Sequence, residues 1–209
     1  MTLTLTNSVV KLIALGLALA CATGPVRAKS IEIEHLPAME VLGPAKAPWG
    51  YLDFCKETSS CDTPLGDAVR VILTTEVFDE LDRLNRHVNA TVIPATDMEI
   101  YGTAEKWAYP IDRGDCEDYV LLKRRMLAEA GWPLSALLIT VVRDEKGDGH
   151  AVLTVVTDHG DLILDNQKDD ILAWQRTPYD YVKRQSQTVA KAWVFIGRSD
   201  LGTGVATTR

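Results

Sequence analysis

The sequence predicts an α+β protein, with helices in its first half and an antiparallel sheet in its second half. Apolar residues recur at intervals of three and four between residues 64 and 89 and again between 117 and 130, the period of an amphipathic helix. After residue 136, short β-branched and apolar segments alternate with turns rich in Gly and Asp. That alternation is typical of antiparallel strands joined by tight turns.

The first 28 residues have the pattern of an export signal. Lys11 precedes an apolar run over residues 12–22, which is too short to span a bilayer comfortably, and residues 26–28 resemble a signal peptidase site. We therefore expect cleavage after residue 28, a single mature domain over residues 29–209, and a periplasmic or secreted protein. A lipid anchor at Cys21 and an uncleaved membrane anchor are the alternatives that the sequence leaves open.

The net charge of the chain argues against a nucleic acid partner. The whole chain has a formal net charge of -7, and loss of Lys11 and Arg27 with the signal would take the mature chain to -9. An acidic chain does not attract a phosphate backbone, so we expect no nucleic acid partner. Because no later segment approaches membrane-spanning length, we also expect no membrane span after signal cleavage.

The first half of the mature chain is expected to form an irregular arm and a long helix. Residues 29–62 contain several prolines and no sustained period, so we expect an arm that packs its aromatic residues on the domain. Thr63 is the expected N-cap and Pro64 the first residue of a helix over 64–89. A short helical turn is expected near 97–101.

The second half is expected to form one helix and four strands. The helix covers residues 117–130, with Gly131 as its C-terminal stop and Cys116 at or just inside its N-terminus. The strands cover residues 136–142, 150–156, 162–165 and 190–196, with turns at 144–149 and 158–160 and a short helix or coil around 171–185.

Three cysteines remain after export, in a compartment that favours disulfides. Cys55 and Cys61 bracket a polar loop, a spacing that a disulfide can close if the loop turns back on itself. Cys116 is then the free thiol. A zinc site at Cys55 and Cys61 is disfavoured, because the sequence lacks a short Cys-x-x-Cys pair and a matching pair of histidines.

Cys116 and two residues of the predicted sheet form a candidate catalytic triad. A helix N-terminus stabilises a thiolate through the peptide dipoles, and a neighbouring imidazolium lowers the pKa of a cysteine further. His150 opens a strand just after a Gly-rich turn, and Asp165 ends the next strand, so antiparallel pairing can bring them together. We therefore predict Cys116 as nucleophile, His150 as general base and Asp165 as the acid that orients the imidazole.

Three sequence blocks resemble one family. They are residues 114–120 (GDCEDYV), 150–153 (HAVL) and 164–166 (LDN), and they resemble the bacterial transglutaminase-like cysteine proteinases, the group that contains the LapG-type periplasmic proteases. The similarity covers roughly residues 105–196. It implies a papain-like or transglutaminase-like fold, with the nucleophile at a helix N-terminus packed on an antiparallel sheet. It also implies a protein substrate, with cell-surface proteins among the candidates.

The same resemblance implies a calcium site beside the nucleophile, at Asp115 and Glu117, with Asp118 as a further ligand. Uncompensated carboxylates would raise the pKa of Cys116, and a bound cation would neutralise them. The alternative needs no metal, because acidic residues in the first turn of a helix interact favourably with its dipole.

A secreted thiol hydrolase, and a cysteine protease in particular, is the function that the sequence favours. A transglutaminase performs the same acyl transfer with an amine in place of water, so the triad does not separate the two. A non-catalytic binding module of the same fold is the alternative from another functional class.

Overall fold

The computed structural model describes residues 36–189 and 191–197. All of these residues belong to one compact unit of the chain. The expected signal segment, residues 1–28, lies outside them, so export and cleavage stay predictions. Among the helices in the described ranges, none is both long and apolar enough to cross a membrane.

Helices and strands alternate along the described chain, with most strands in the second half. In order they are β1 (Glu40–Ala45), α1 (Trp49–Glu57), a 3-10 turn (Ser59–Asp62), α2 (Thr75–Thr91), β2 (Ile93–Pro94), α3 (Asp97–Tyr101), β3 (Arg113–Gly114), α4 (Cys116–Glu129), a 3-10 turn (Leu134–Ala136), β4 (Leu137–Arg143), β5 (Gly149–Thr157), β6 (Gly160–Leu164), β7 (Leu172–Ala173), a 3-10 turn (Trp174–Arg176), β8 (Asp180–Gln185) and β9 (Trp193–Gly197).

Seven of these strands form one antiparallel sheet in the order β1-β9-β8-β4-β5-β6-β7. Helix α4 packs across β4 and β5. It buries Leu121 and Leu127 in the same apolar cluster as Ile139 and Leu153 of the sheet. Each buried leucine contributes about 1.5–3 kcal/mol, so this contact anchors the helix that begins at Cys116. The predicted α+β class, with a helix on an antiparallel sheet, is confirmed.

The tight turn between β5 and β6 brings together two residues that the sequence predicted as catalytic. The two strands pair antiparallel, with Leu153 opposite Leu164. Residues that precede Leu153 therefore run beside the segment that follows Leu164. This register brings His150, near the start of β5, next to Asp165, directly after β6.

The prediction of a helix over 64–89 is wrong at its beginning. Helix α2 begins at Thr75, and the Thr74 side chain accepts a hydrogen bond from the backbone N–H of Val77 as its N-cap. The preceding segment is extended, because Val71 forms a parallel bridge with Thr157 at the end of β5. The apolar residues before Thr74 have helical spacing, but pairing with the sheet determines their conformation.

Two other segments contain helices and strands that the sequence did not predict. The prediction of a short helix or coil over residues 171–185 is only partly right: the segment contains the 3-10 turn Trp174–Arg176, but also β7 and the internal strand β8. Strand β8 is rich in charged residues, and its Arg184 is buried because its guanidinium pairs with Asp161 at 3.0 Å. The irregular arm contains β1 and α1, although Tyr51 and Phe54 do pack in the core as expected.

Candidate active site

The N-terminus of α4 carries the candidate nucleophile. Cys116 is the first residue of the helix, and Asp115 occupies the N-cap position without a side-chain capping bond. A Cβ atom on Gly114 would lie 2.7 Å from Asp118, so glycine permits the close approach of this strand to the first turn. Cys116 is a half-buried free thiol. Cys116 and Ala151 of β5 line the same cavity, so the thiol lies beside the sheet.

His150 and Asp165 form a buried pair at the end of the sheet. His150 is 4% exposed and Asp165 is 3% exposed. Nε2 of His150 and Oδ1 of Asp165 are 2.9 Å apart. The backbone N–H of Gln167 donates to the same carboxylate oxygen at 3.0 Å, and the Tyr179 hydroxyl donates to the other oxygen. The register of β5 and β6 thus produces the contact that the sequence predicted.

These hydrogen bonds keep Asp165 ionised in spite of its burial. Burial raises the pKa of Asp165, but the hydrogen bond and charge of His150, together with the Tyr179 hydroxyl and the Gln167 N–H, lower it by more. The net pKa lies below the usual value for an aspartate. A carboxylate in this state can stabilise an imidazolium on His150.

The partners of His150 also determine its tautomer. Because the Asp165 carboxylate only accepts hydrogen bonds, the proton of neutral His150 belongs on Nε2. Nδ1 is then an acceptor, and the side-chain Nε2 of Gln167 lies 3.4 Å from it, as a weak donor. This tautomer leaves Nδ1 as the basic atom.

Cys116 and His150 line the same cavity, which has a volume of about 220 Å³. Trp107, Val141 and Ala151 contribute apolar surface to it. The arrangement therefore brings the predicted nucleophile, base and orienting acid into one site, with the acid behind the base.

Three carboxylates lie close together beside the candidate nucleophile. One oxygen each from Asp97, Asp115 and Glu117 lies within 4.8 Å of the others. Oδ1 of Asp97 and Oδ1 of Asp115 are buried, and neither has a hydrogen-bond partner among the described residues. Asp118, predicted as a further ligand, lies outside this set and accepts the backbone N–H of Ala108 at 2.8 Å.

The negative charge of the carboxylate cluster is only partly compensated, because burial raises the pKa of Asp97 by more than the backbone N–H and the charge of Lys106 lower it. Burial raises the pKa of Asp115 to about 8, and the nearby charge of Glu117 adds to the effect. The Cys116 thiol donates a hydrogen bond to Oε2 of Glu117 at 3.0 Å. Burial, and then the Glu117 carboxylate, raise the pKa of Cys116 well above its usual value. Buried oxygens without partners, held close together, fit a hard divalent cation.

The sequence of the chain matches one known protein family over most of its length. The family model of the bacterial transglutaminase-like cysteine proteinases (BTLCP) matches residues 41–200. The chain belongs to this family. It is therefore a transglutaminase-like cysteine peptidase with a protein substrate, as the sequence blocks predicted. The matched range contains all of the candidate catalytic and metal-binding residues.

Solved structures of LapG from Legionella pneumophila are also similar to the chain. The calcium-bound form has 27% sequence identity and a TM-score of 0.49, and the match covers 61% of this chain and 75% of that one. The EGTA-treated form has 27% identity and a TM-score of 0.47, with 60% and 74% covered. No curated protein matches the sequence significantly.

The predicted disulfide is present, and Cys116 is free. Cys55 and Cys61 are joined by an S–S bond, with their Cα atoms 5.4 Å apart. Sequence reasoning missed Asp97, which opens α3 and carries no local signal of a link to a helix 19 positions later. It also missed Tyr179, because the strand that follows it was not predicted.

Proposed function

We propose that this peptidase is a secreted or periplasmic enzyme that cleaves peptide bonds through Cys116, His150 and Asp165. The observation that carries the proposal is the buried hydrogen bond between His150 and Asp165, in the wall of the cavity that Cys116 lines. The tautomer follows from that bond, and it leaves Nδ1 of His150 as the basic nitrogen, with only the weak contact to Gln167 to displace before proton transfer.

In the proposed reaction, Nδ1 of His150 takes the thiol proton and Sγ of Cys116 attacks the carbonyl carbon of the scissile bond. Backbone N–H groups in the first turn of α4 stabilise the negative charge that develops on the carbonyl oxygen. The C–N bond then breaks, and the amine leaves with the proton from His150. Water, deprotonated by the same nitrogen, hydrolyses the thioester and regenerates the thiol.

We extend the proposal to a calcium ion held by Asp97, Asp115 and Glu117. The support is the set of buried oxygens without partners and the raised pKa of Asp115, both of which indicate that burial and neighbouring carboxylates disfavour the ionised acid unless a cation is present. When bound, calcium would neutralise the carboxylates that oppose ionisation of the thiol. Oxygen ligands of this kind suit calcium, which accepts irregular geometry more readily than magnesium.

A cell-surface protein is the proposed substrate, and the periplasm or the exterior the proposed location. The support is the N-terminal export pattern and the Cys55–Cys61 disulfide, which fits an oxidising compartment. N-terminal sequencing of the protein from a periplasmic fraction should give Lys29 as the first residue. A mature protein that retains residues 1–28 would contradict this assignment.

Cleavage itself is tested on a peptide library prepared from surface proteins. Calcium-loaded protein should generate new N-termini, and Cys116→Ala should generate none, because no other group replaces the thiol. Thermal unfolding controls for folding of the variant. New N-termini of equal abundance with Cys116→Ala would overturn the proposal. Kinetic measurements then use a fluorogenic peptide that carries the best-cleaved sequence. This peptide is called the reporter peptide.

A further inference from the structure

The cavity that Cys116 lines continues along one face of the sheet. Directly opposed residues of paired strands have their side chains on the same face. Ala151 of β5 is opposite Val141 of β4, and Val141 is opposite Lys183 of β8. All three line the cavity together with Cys116. The active site is therefore bounded by a row of side chains that crosses the sheet from β5 toward β1.

The row continues past Lys183 to the edge of the sheet, where β1 is the last strand. Lys183 is opposite Phe195 of β9, and Phe195 is opposite Gly43 of β1. Phe195 is 47% exposed. A Cβ atom on Gly43 would meet no other described residue within 4 Å, apart from its neighbours in the chain. The sheet face is thus open beyond the cavity, with room for a chain that leaves the active site in this direction.

Lys183 contributes a positive charge to the wall of the cavity. Its ammonium group donates to the backbone oxygen of Lys46 at 2.8 Å, and Nζ lies 5.9 Å from the centroid of the Trp193 ring. Neither partner carries a negative charge, and no carboxylate of the described residues forms an ion pair with Lys183. An ammonium group has three donors, so two remain for a ligand. Burial lowers the pKa of Lys183, and a carboxylate of a ligand would favour the charged form.

The carboxylates that line the cavity, Glu105 and Glu117, already have partners. Glu105 accepts a hydrogen bond from Nε1 of Trp107 at 2.7 Å. Glu117 accepts one from the Cys116 thiol and belongs to the carboxylate cluster of the proposed calcium site. The Lys183 ammonium group, in contrast, lacks a partner of opposite charge. The charge in this wall therefore complements an acidic side chain of a bound chain rather than a basic one.

We propose that Lys183 is a specificity-determining residue, which selects substrates that carry an acidic side chain near the scissile bond. Neighbouring strands are about 4.8 Å apart, so Lys183 lies about 10 Å from Ala151, a distance that an extended substrate covers with about three residues. Beyond Lys183, the open face at Phe195 and Gly43 lets the substrate continue toward β1. The inference rests on the proposed peptidase function of Cys116 and adds a preference for one class of substrate side chain.

The first test uses forms of the reporter peptide that carry Glu or Gln in turn at each position on both sides of the cleaved bond. With calcium-loaded parent enzyme, Glu should give a kcat/KM about five- to tenfold above that of Gln at a position about three residues from the bond. Lys183→Met should abolish this preference, and Lys183→Glu should prefer Lys over Glu at the same position. Lys56→Met is the matched control, because Lys56 is exposed and pairs with Asp53 at 2.7 Å. It should keep the parental preference.

A binding measurement separates recognition from turnover. In calcium-loaded Cys116→Ala, titration calorimetry should give a Kd for the preferred Glu peptide about five- to tenfold below that for the Gln peptide. Addition of Lys183→Met to this variant should remove the difference.

Two results would overturn the inference. One is equal kcat/KM for the Glu and Gln peptides at every position with the parent enzyme, a comparison that needs no variant and so holds even if Lys183→Met does not fold. The other is a preference for Glu that folded Lys183→Met retains. Failure of the proposed function would show differently, as cleavage by Cys116→Ala or as no cleavage by the calcium-loaded parent.

Discussion

Removal of the Tyr179 hydroxyl tests how the catalytic acid is supported. That hydroxyl donates to Oδ2 of Asp165, and the two side chains are almost fully buried. The ring itself packs edge-on against His150, with centroids 5.6 Å apart. Tyr179→Phe keeps this ring contact and removes one hydrogen-bond donor from an ionised carboxylate.

The size of the effect follows from the charge of the acceptor. A hydrogen bond to a charged group contributes about 1.5–3 kcal/mol, so we expect Tyr179→Phe to lower the free energy of unfolding by about 2 kcal/mol at neutral pH. The pKa of Asp165 is depressed in the folded protein. Its contribution to stability is therefore full above the pKa of an unfolded aspartate, about 3.9, and is lost as the pH falls through the lower folded value.

Loss of the hydroxyl raises the folded pKa of Asp165, which changes how the variant responds to acid. The difference in stability between parent and Tyr179→Phe should shrink as the pH falls below about 3.9, because the carboxylate then becomes protonated in both folded states. The acid limb of kcat/KM for the reporter peptide should move to higher pH in the variant. Denaturant unfolding at several pH values and a pH–rate profile measure the two effects.

Tyr181→Phe is the matched control for this experiment. The Tyr181 hydroxyl bonds to the neutral hydroxyl of Thr177 at 2.9 Å. Its loss should cost about 0.5–1.5 kcal/mol, with no shift in the pH–rate profile. The reasoning is refuted if Tyr179→Phe and Tyr181→Phe lose equal stability and both keep the parental acid limb.

Three further predictions concern the thiol, the cation and the disulfide. In calcium-loaded protein, iodoacetamide should label Cys116 faster than free cysteine at neutral pH, as peptide mass spectrometry would show; slower labelling contradicts the nucleophile. Asp97→Asn should weaken calcium binding by at least about tenfold in titration calorimetry, whereas Glu99→Gln, on the same short helix, should not. Replacing Cys55 and Cys61 with serine should cost about 2 kcal/mol in denaturant unfolding, and no loss would refute the chain-entropy estimate.

Elements with strong local signals were predictable from the sequence. Helix α4 ends where Gly131 takes a left-handed conformation, with φ of 94°. The turn between β5 and β6 is short enough to determine their register without other information. The contact between His150 and Asp165 could therefore be predicted. It depends only on two neighbouring strands and the turn that joins them.

Elements that depend on distant partners were not predictable. The internal strand β8 buries Arg184 because Asp161, 23 positions earlier, supplies the opposite charge. The segment before Thr74 has helical spacing but pairs with the end of β5. Asp97 joins the carboxylate cluster only because β2 and β3 pair and bring α3 beside the start of α4. Each case requires a tertiary contact that no local pattern contains.

The N-terminus of α4 has two electrostatic roles that conflict without a cation. Its dipole favours negative charge, and both the Cys116 thiolate and the Glu117 carboxylate compete for that stabilisation. In this structure the Cys116 thiol is protonated and donates a hydrogen bond to Oε2 of Glu117 at 3.0 Å. A positive ion on the cluster reverses this balance, because a neutralised carboxylate no longer opposes a thiolate. Asp97, which follows β2, and Asp115, which follows β3, would bind the same ion, so the reactive state of Cys116 becomes coupled to the folding of the chain between them.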